Sequence, residues 1–436
     1  MESYNLVSLL GIFLLLAFAW LVSTDKRVVN WRVVFWGVML QILFAFFIFV
    51  IPVGSKVFLI ANDIVVKVLD SATAGTKFLF GRLGLPPGAV NSQGETSLGN
   101  ILAFQALPTI VFFAALVGVL YYLRIMPLLI RGFSCVFTKL MRISGAESLC
   151  ASSNIFVGVE SALVVKPHLN DMTRSELTTI LTAGMATIAS TVLALYVVFL
   201  QKSLPTIAGH LISASLLSAP AAVVMSKFIV PETQKPQTLG LDVRPHYERE
   251  DNLIMAVING ANSGLRLLGG IMAMLLAFLG LIALIDLVLG WAGGGVNNLL
   301  GIHFTWSIKS ILGYVFYPFA LALGVPPSDA MEVAKLLGER VVATEVVSFQ
   351  SLAQLLESGA FHYPRSAIIA SYALCGFAHF ASLAIFIGGI GALAPNRVKE
   401  LSAVGLRALL AATLACLMTG AIAGVFFSPG SILLGK

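Results

Sequence analysis

SYALCGFAHFAS, residues 371–382, is an apolar stretch that carries His379 and Ser382 where hydrocarbon would tolerate neither. An earlier stretch repeats its pattern. Residues 184–190 read GMATIAS and residues 376–382 read GFAHFAS, pairing Gly184 with Gly376, Ala186 with Ala378, Ala189 with Ala381 and Ser190 with Ser382. Each copy follows a shorter, glycine-interrupted segment holding a carboxylate: Gly158 and Glu160 before the first, Gly338 and Glu345 before the second. Paired broken segments at corresponding places in two halves point to a secondary transporter whose solute binds between the repeats, near the bilayer midplane.

The composition agrees with a membrane setting. Of 436 residues, 58% are hydrophobic and 11% charged, and the mean hydropathy is +0.94, which no soluble domain of this length could carry on its surface. A helix needs roughly 20 apolar residues to cross hydrocarbon, and about eight such stretches are present, with shorter apolar pieces left over. The expected fold is therefore an all-α polytopic membrane protein with about eight transmembrane helices, two re-entrant hairpins and an inverted repeat. The formal charge of +6 suits basic cytoplasmic loops, and no basic, aromatic-interleaved patch suggests nucleic acid. Cys135, Cys150, Cys375 and Cys416 all lie in apolar stretches without CxxC or His-paired spacing, so they read as packing residues. No HExxH, nucleophile elbow or glycine-rich loop after a strand points to an enzyme.

In chain order, residues 1–100 read as scaffold. Spans at about 5–23 and 33–53 flank a loop with Lys26, Arg27 and Arg32, placed in the cytoplasm by the positive-inside rule, with the N-terminus outside. The first apolar run reads as a retained span rather than a cleaved leader. Residues 55–81 alternate apolar runs with charges and predict an interfacial amphipathic helix. The first transport repeat, 101–230, holds a span at 101–123, a hairpin opened by the capping-box pair Ser144 and Glu147 and broken around 157–161, span four from Thr173 and Glu176 to Leu200, and span five at 206–228. Residues 231–250 form a polar cytoplasmic loop. The second repeat, 251–436, holds span six at 264–289 and a hairpin capped by Ser328 or Asp329 and broken around 338–344. Span seven at 365–392 and span eight at 403–427 complete it, returning the C-terminus outside.

Glu160, Glu345 and His379 are ionisable groups at membrane depth, where a charge costs at least about 2.5 kcal/mol, so each needs a partner or a role. Asn154 and Thr187, with carbonyls freed near Val157 and Ile188, offer oxygen ligands suited to a small hard cation; local capping is the competing reading. Phe377 and Phe380 flank His379 and suit either core packing or an aromatic ligand. Glu332 with Lys335, and Glu339 with Arg340, read as solvated helix faces.

The stretches GAESLCASSNIFVG (145–158), VVKPHL (164–169), AGMATIAS (183–190), GER and TE (338–345) and CGFAHFAS (375–382) resemble the concentrative nucleoside transporters, with this chain a divergent member. The resemblance implies a homotrimer in the plasma (inner) membrane that imports nucleosides by alternating access, coupled to Na+. It assigns sodium to Asn154, Val157, Thr187 and Ile188, and ribose to Glu345, His379 and Ser382 with Phe377 nearby. The family's GQTE or GQSE hairpin tip is GVE here, Gly158, Val159 and Glu160, and its span-seven asparagine is His379. These departures leave proton coupling, or a solute other than an ordinary nucleoside, as the alternative, with a channel or membrane enzyme further behind. An imidazole beside Glu345 also makes pH-sensitive binding an expectation.

Overall fold

The computed structural model describes residues 3–86, 88–91, 94–99, 101–247, 250–301, 303–429 and 433, without the side chains of Val159 and Leu300. The chain is helical, and two isolated bridges are the extent of β pairing among the described residues. It begins with α1 (Ser3–Leu21), α2 (Trp31–Phe49) and α3 (Pro52–Phe80). Proline at the first position of α3 has no amide to leave unpaired, and the helix runs unbroken through the stretch expected to be amphipathic.

Two sets of elements then follow in the same order. The first is α4 (Leu102–Gln105) with α5 (Thr109–Tyr122), α6 (Ile125–Met141), α7 (Gly145–Ser153), a 3₁₀ stretch Val159–Asp171, α8 (Arg174–Ala186), α9 (Ser190–Leu200) and α10 (Ile207–Ile229). The second is α11 (Leu253–Leu300), α12 (Ile308–Ala322), α13 (Pro327–Val342), α14 (Glu345–Glu357), α15 (Pro364–Leu374), α16 (Phe380–Leu393) and α17 (Val398–Phe426). Each set is a span, an amphipathic helix, a two-armed segment whose arms pack on each other, a broken helix, and a buried span. α5 lies against α11, and α10 against α17, so the two sets meet along corresponding elements.

Both predicted capping boxes form. Ser144 N donates to Glu147 Oε1 at 3.0 Å while Glu147 N donates to Ser144 Oγ at 3.2 Å, and Thr173 and Glu176 reproduce the pattern at 2.8 and 3.1 Å. Other expectations are corrected. Span four is divided at Thr187–Ala189 and span seven at Cys375–His379, so His379 caps α16 instead of sitting inside a helix. Span six is far longer than 264–289: Asn252 caps its start, Oδ1 accepting from Met255 N at 2.9 Å, and Gly301 ends it at φ +62°, giving 48 residues, or about 72 Å. Residues 125–141, for which no helix was expected, form α6, whose buried Met126, Ile130, Phe137 and Met141 recur at helical spacing. Neither Ser328 nor Asp329 caps α13. The Asp329 carboxylate instead accepts from His362 N, Tyr363 N and the Ser366 hydroxyl at 3.2, 3.1 and 2.6 Å, fixing the start of α15.

Seven helical stretches are long and apolar enough to cross a membrane among the described residues, and the divided α15–α16 supplies an eighth passage. Glu147, beyond its cap, pairs at 2.8 Å with Lys227 near the end of α10, both buried. Lys227→Met should therefore lower the detergent-solubilised melting temperature strongly, because an unpaired buried carboxylate costs about 3–5 kcal/mol. A midpoint within a degree or so of the parent's, measured by thermal unfolding, would show that water reaches Glu147.

Candidate solute and cation site

Two breaks form the centre of the molecule. In the first, Ser190 N donates to Phe156 O at 3.0 Å, and Ser215 Oγ reaches Ile155 O at 2.9 Å and Ile188 O at 3.5 Å, so the α8–α9 break lies against the tip that follows α7. Asn154 and Thr187 are buried there. Asn154 Nδ2 donates to Cys150 O at 3.0 Å, while its Oδ1 has no donor despite being fully buried. Thr187 spends its proton on Ala183 O at 2.9 Å, leaving the hydroxyl oxygen able to accept. With the Val157 and Ile188 carbonyls these are neutral oxygens of the kind a hard monovalent cation takes as ligands, and an orphaned buried acceptor calls for a donor, a water or a cation.

The second break carries His379. Ser382 N donates to His379 Nδ1 at 3.1 Å, so Nδ1 accepts, and a neutral ring then bears its proton on Nε2. Nε2 lies 2.8 Å from Glu345 Oε2, yet the contact is badly aligned with the ring N–H, and Oε2 has no well-directed donor. Glu345 Oε1 accepts from Tyr196 OH at 2.7 Å. Tyr196, on α9, stacks on Phe349 of α14 at 4.4 Å between ring centres. The carboxylate is thus held from two sides with part of one oxygen left free.

Gly158, Glu160, Glu345, Phe377, His379 and Ser382 all line one cavity. Thr344, Phe386 and Leu267, Ile271 and Met274 of α11 complete its wall. Val159 belongs to the same tip, but its side chain lies outside the described residues. Ser382 turns its hydroxyl to the backbone carbonyls of Phe377 and His379, bracing the break. Phe380 faces outward, 47% exposed, and leaves the aromatic wall to Phe377 and Phe386. Gly158, Glu160 and Thr191 also line a second, larger cavity bounded by Tyr121, Lys166, His246 and Glu250, which opens toward the polar 231–251 segment.

Sequence reading missed Tyr196, whose only signal was a hydroxyl within the apolar run 192–200, and misread Arg340. Far from a solvated face, Arg340 is fully buried and donates to Ala373 O at 2.5 Å. Glu332 does pair with Lys335 at 2.7 Å, and Glu339 pairs with Lys309 at the same distance.

Family models match along the chain: "Na+ dependent nucleoside transporter N-terminus" over residues 10–83, "Nucleoside recognition" over 103–203 and "Na+ dependent nucleoside transporter C-terminus" over 210–424. The likeness thus includes the first spans, ahead of the motifs quoted above. An uncharacterized transporter, YutK, of Bacillus subtilis is 39% identical over 96% of this chain and 98% of its own. Solute carrier family 28 member 3 of Mus musculus is 38% identical over 97% of this chain, which spans 59% of that longer protein. The solved structure of CNTnw in an inward-facing substrate-bound state is 35% identical, superposes with a TM-score of 0.87 and covers 99% of this chain and 100% of its own. This multi-pass membrane protein, built on a transporter fold and not an enzyme's, belongs to the concentrative, Na+ dependent nucleoside transporter family.

Proposed function

We propose that the protein imports nucleosides across the plasma membrane by alternating access, driven by sodium entering with the solute. The observation that carries this reading is the fully buried Asn154 Oδ1 without a donor, beside Thr187 at a helix break. A carboxylate, Glu345, with an underused oxygen at the wall of the cavity between the two breaks supports it from the solute side. Ribose hydroxyls are donors that such an oxygen would take, and Phe377 and Phe386 offer faces for a base. Sodium at Asn154, Val157, Thr187 and Ile188 would draw the first tip and the α8–α9 break together and so shape the cavity wall at Gly158 and Glu160. In this reading hairpins 144–171 and 327–357 re-enter the membrane, both termini lie outside and three copies assemble.

The test is uptake of radiolabelled nucleosides into proteoliposomes under opposed sodium and potassium gradients. Asn154→Ala should reduce sodium-driven uptake about tenfold or more, the effect of losing one ligand oxygen to a cation, while expression stays near the parent level. Uptake by the parent that is the same with either cation would defeat the sodium reading. A proton gradient that drives uptake in its place would favour the runner-up, for which the His379–Glu345 contact is the supporting observation.

A further inference from the structure

Arg340 and Arg365 are the largest fully buried side chains, and among the described residues no oxygen partner meets Nε or Nη2 of Arg340. The carboxylates nearest in sequence bond elsewhere, Glu339 to Lys309 and Glu345 to the Tyr196 hydroxyl. A guanidinium can donate five hydrogen bonds, and this one makes a single bond to an oxygen, to Ala373 of α15. Such a poor return in bonds, for a charge removed from water, points to a role for the charge itself.

Its surroundings say what that role is. Arg340 lies in the last turn of α13, and Ala373 lies in the last turn of α15. Two helix C-termini, each equivalent to roughly half a negative charge, therefore converge on one positive group. The first repeat has the same arrangement without the side chain. α7 ends at Ser153 and α8 at Ala186, next to Asn154 and Thr187, and neither helix has a basic residue in its last turn. The two positions adjoin: Cys416 Sγ, which flanks the guanidinium, also contacts Ala186 O and Cys375 O at 3.6 Å, bridging the two breaks.

We propose that Arg340 is a resident cation, filling in the second repeat the place that an exchangeable cation takes in the first, so that one of two related helix-end sites is permanently occupied by the chain. The comparison with the first repeat rests on the sodium site proposed above; the requirement for positive charge at Arg340 does not. Arg340→Ala opens a hole shaped for guanidinium, which is the probe. In the purified full-length variant, uptake should fall about tenfold or more, as loss of a charge-assisted bond implies, and the melting temperature should drop. Millimolar guanidinium should restore much of both, whereas urea, of the same shape but uncharged, should not. Equal rescue by urea, or no rescue by either, would overturn the proposal. Should Arg340→Ala fail to accumulate, Arg340→Lys and Arg340→Leu decide: the charged variant should fold and transport measurably while the neutral one does not, and equal behaviour of the two would overturn it. Because these readings do not depend on which ion drives uptake, failure of sodium coupling in the parent would leave them standing.

Discussion

Glu345→Gln is expected to reduce nucleoside uptake at low solute concentration by about tenfold or more, because a hydrogen bond to a charged group is worth roughly 1.5–3 kcal/mol and the free part of Oε2 is placed to take one. The carboxylate is the focus of the site. Tyr196 OH holds Oε1 at 2.7 Å and His379 Nε2 stands 2.8 Å from Oε2, so an amide put there keeps its shape and loses its charge. An amide nitrogen facing Tyr196 or the ring N–H would also set donor against donor. The backbone should tolerate the change, since Thr344, not Glu345, caps α14 through its bond from Val347 N at 3.4 Å. Sodium should still raise the melting temperature of the variant, because Asn154 and Thr187 are untouched. Transport at the parent's rate, with the parent's apparent affinity, would reduce Glu345 to a support for Tyr196.

Gly376→Ala should damage folding and transport together. A Cβ built at Gly376 would lie 2.5 Å from Cys416 Sγ and 2.9 Å from Ala186 O, so the two breaks approach each other over a missing side chain. Sulfur can move aside; a backbone carbonyl at the end of α8 cannot move without disturbing Thr187. Overpacking of this kind costs about 1–3 kcal/mol, enough to lower the melting temperature of a chain this long by about 1–3 °C. Adding Cys416→Ala should recover only the sulfur's share, and sodium-stimulated uptake should remain low. Complete recovery in the double variant would mean that the carbonyl contact is not limiting. Gly184, its counterpart in the repeat, faces the ring of Phe386 of α16, whose nearest atom would be 2.2 Å from such a Cβ. The glycine of each repeat copy therefore admits an element of the other half, which explains why the motif begins with glycine in both places.

The two capping boxes show what could be read directly. Ser144 with Glu147 and Thr173 with Glu176 depend only on residues three apart, so spacing and residue type were sufficient to predict both hydrogen bonds. The membrane class followed from hydropathy for a similar reason: apolar length is a property of the chain whatever its neighbours. The repeat and the altered tip were also visible as local patterns. Beyond a few residues that legibility ended. α6 was hidden because its Arg131 and Lys139 resemble those of a loop until Ile130 and Phe137 find a core to enter. The true length of α11 depends on caps at Asn252 and Gly301, far outside its most apolar window.

At the candidate site, the sequence singled out polar residues at membrane depth, and tertiary structure decided what each of their atoms meets. Asn154, Thr187, Glu345 and His379 could be picked out because polar groups at membrane depth are costly and must be compensated. Their partners could not, because compensation comes from distant parts of the chain: Tyr196 is 149 residues from Glu345, and Ala373 is 33 from Arg340. The tautomer of His379 hangs on one amide, Ser382 N, that is free to donate because α16 begins there. Arg340 is the clearest case. Beside Glu339 it has the look of a solvated pair, and only the convergence of the α13 and α15 ends makes a buried positive charge affordable, since helix-end fields act through space between segments that no local pattern connects.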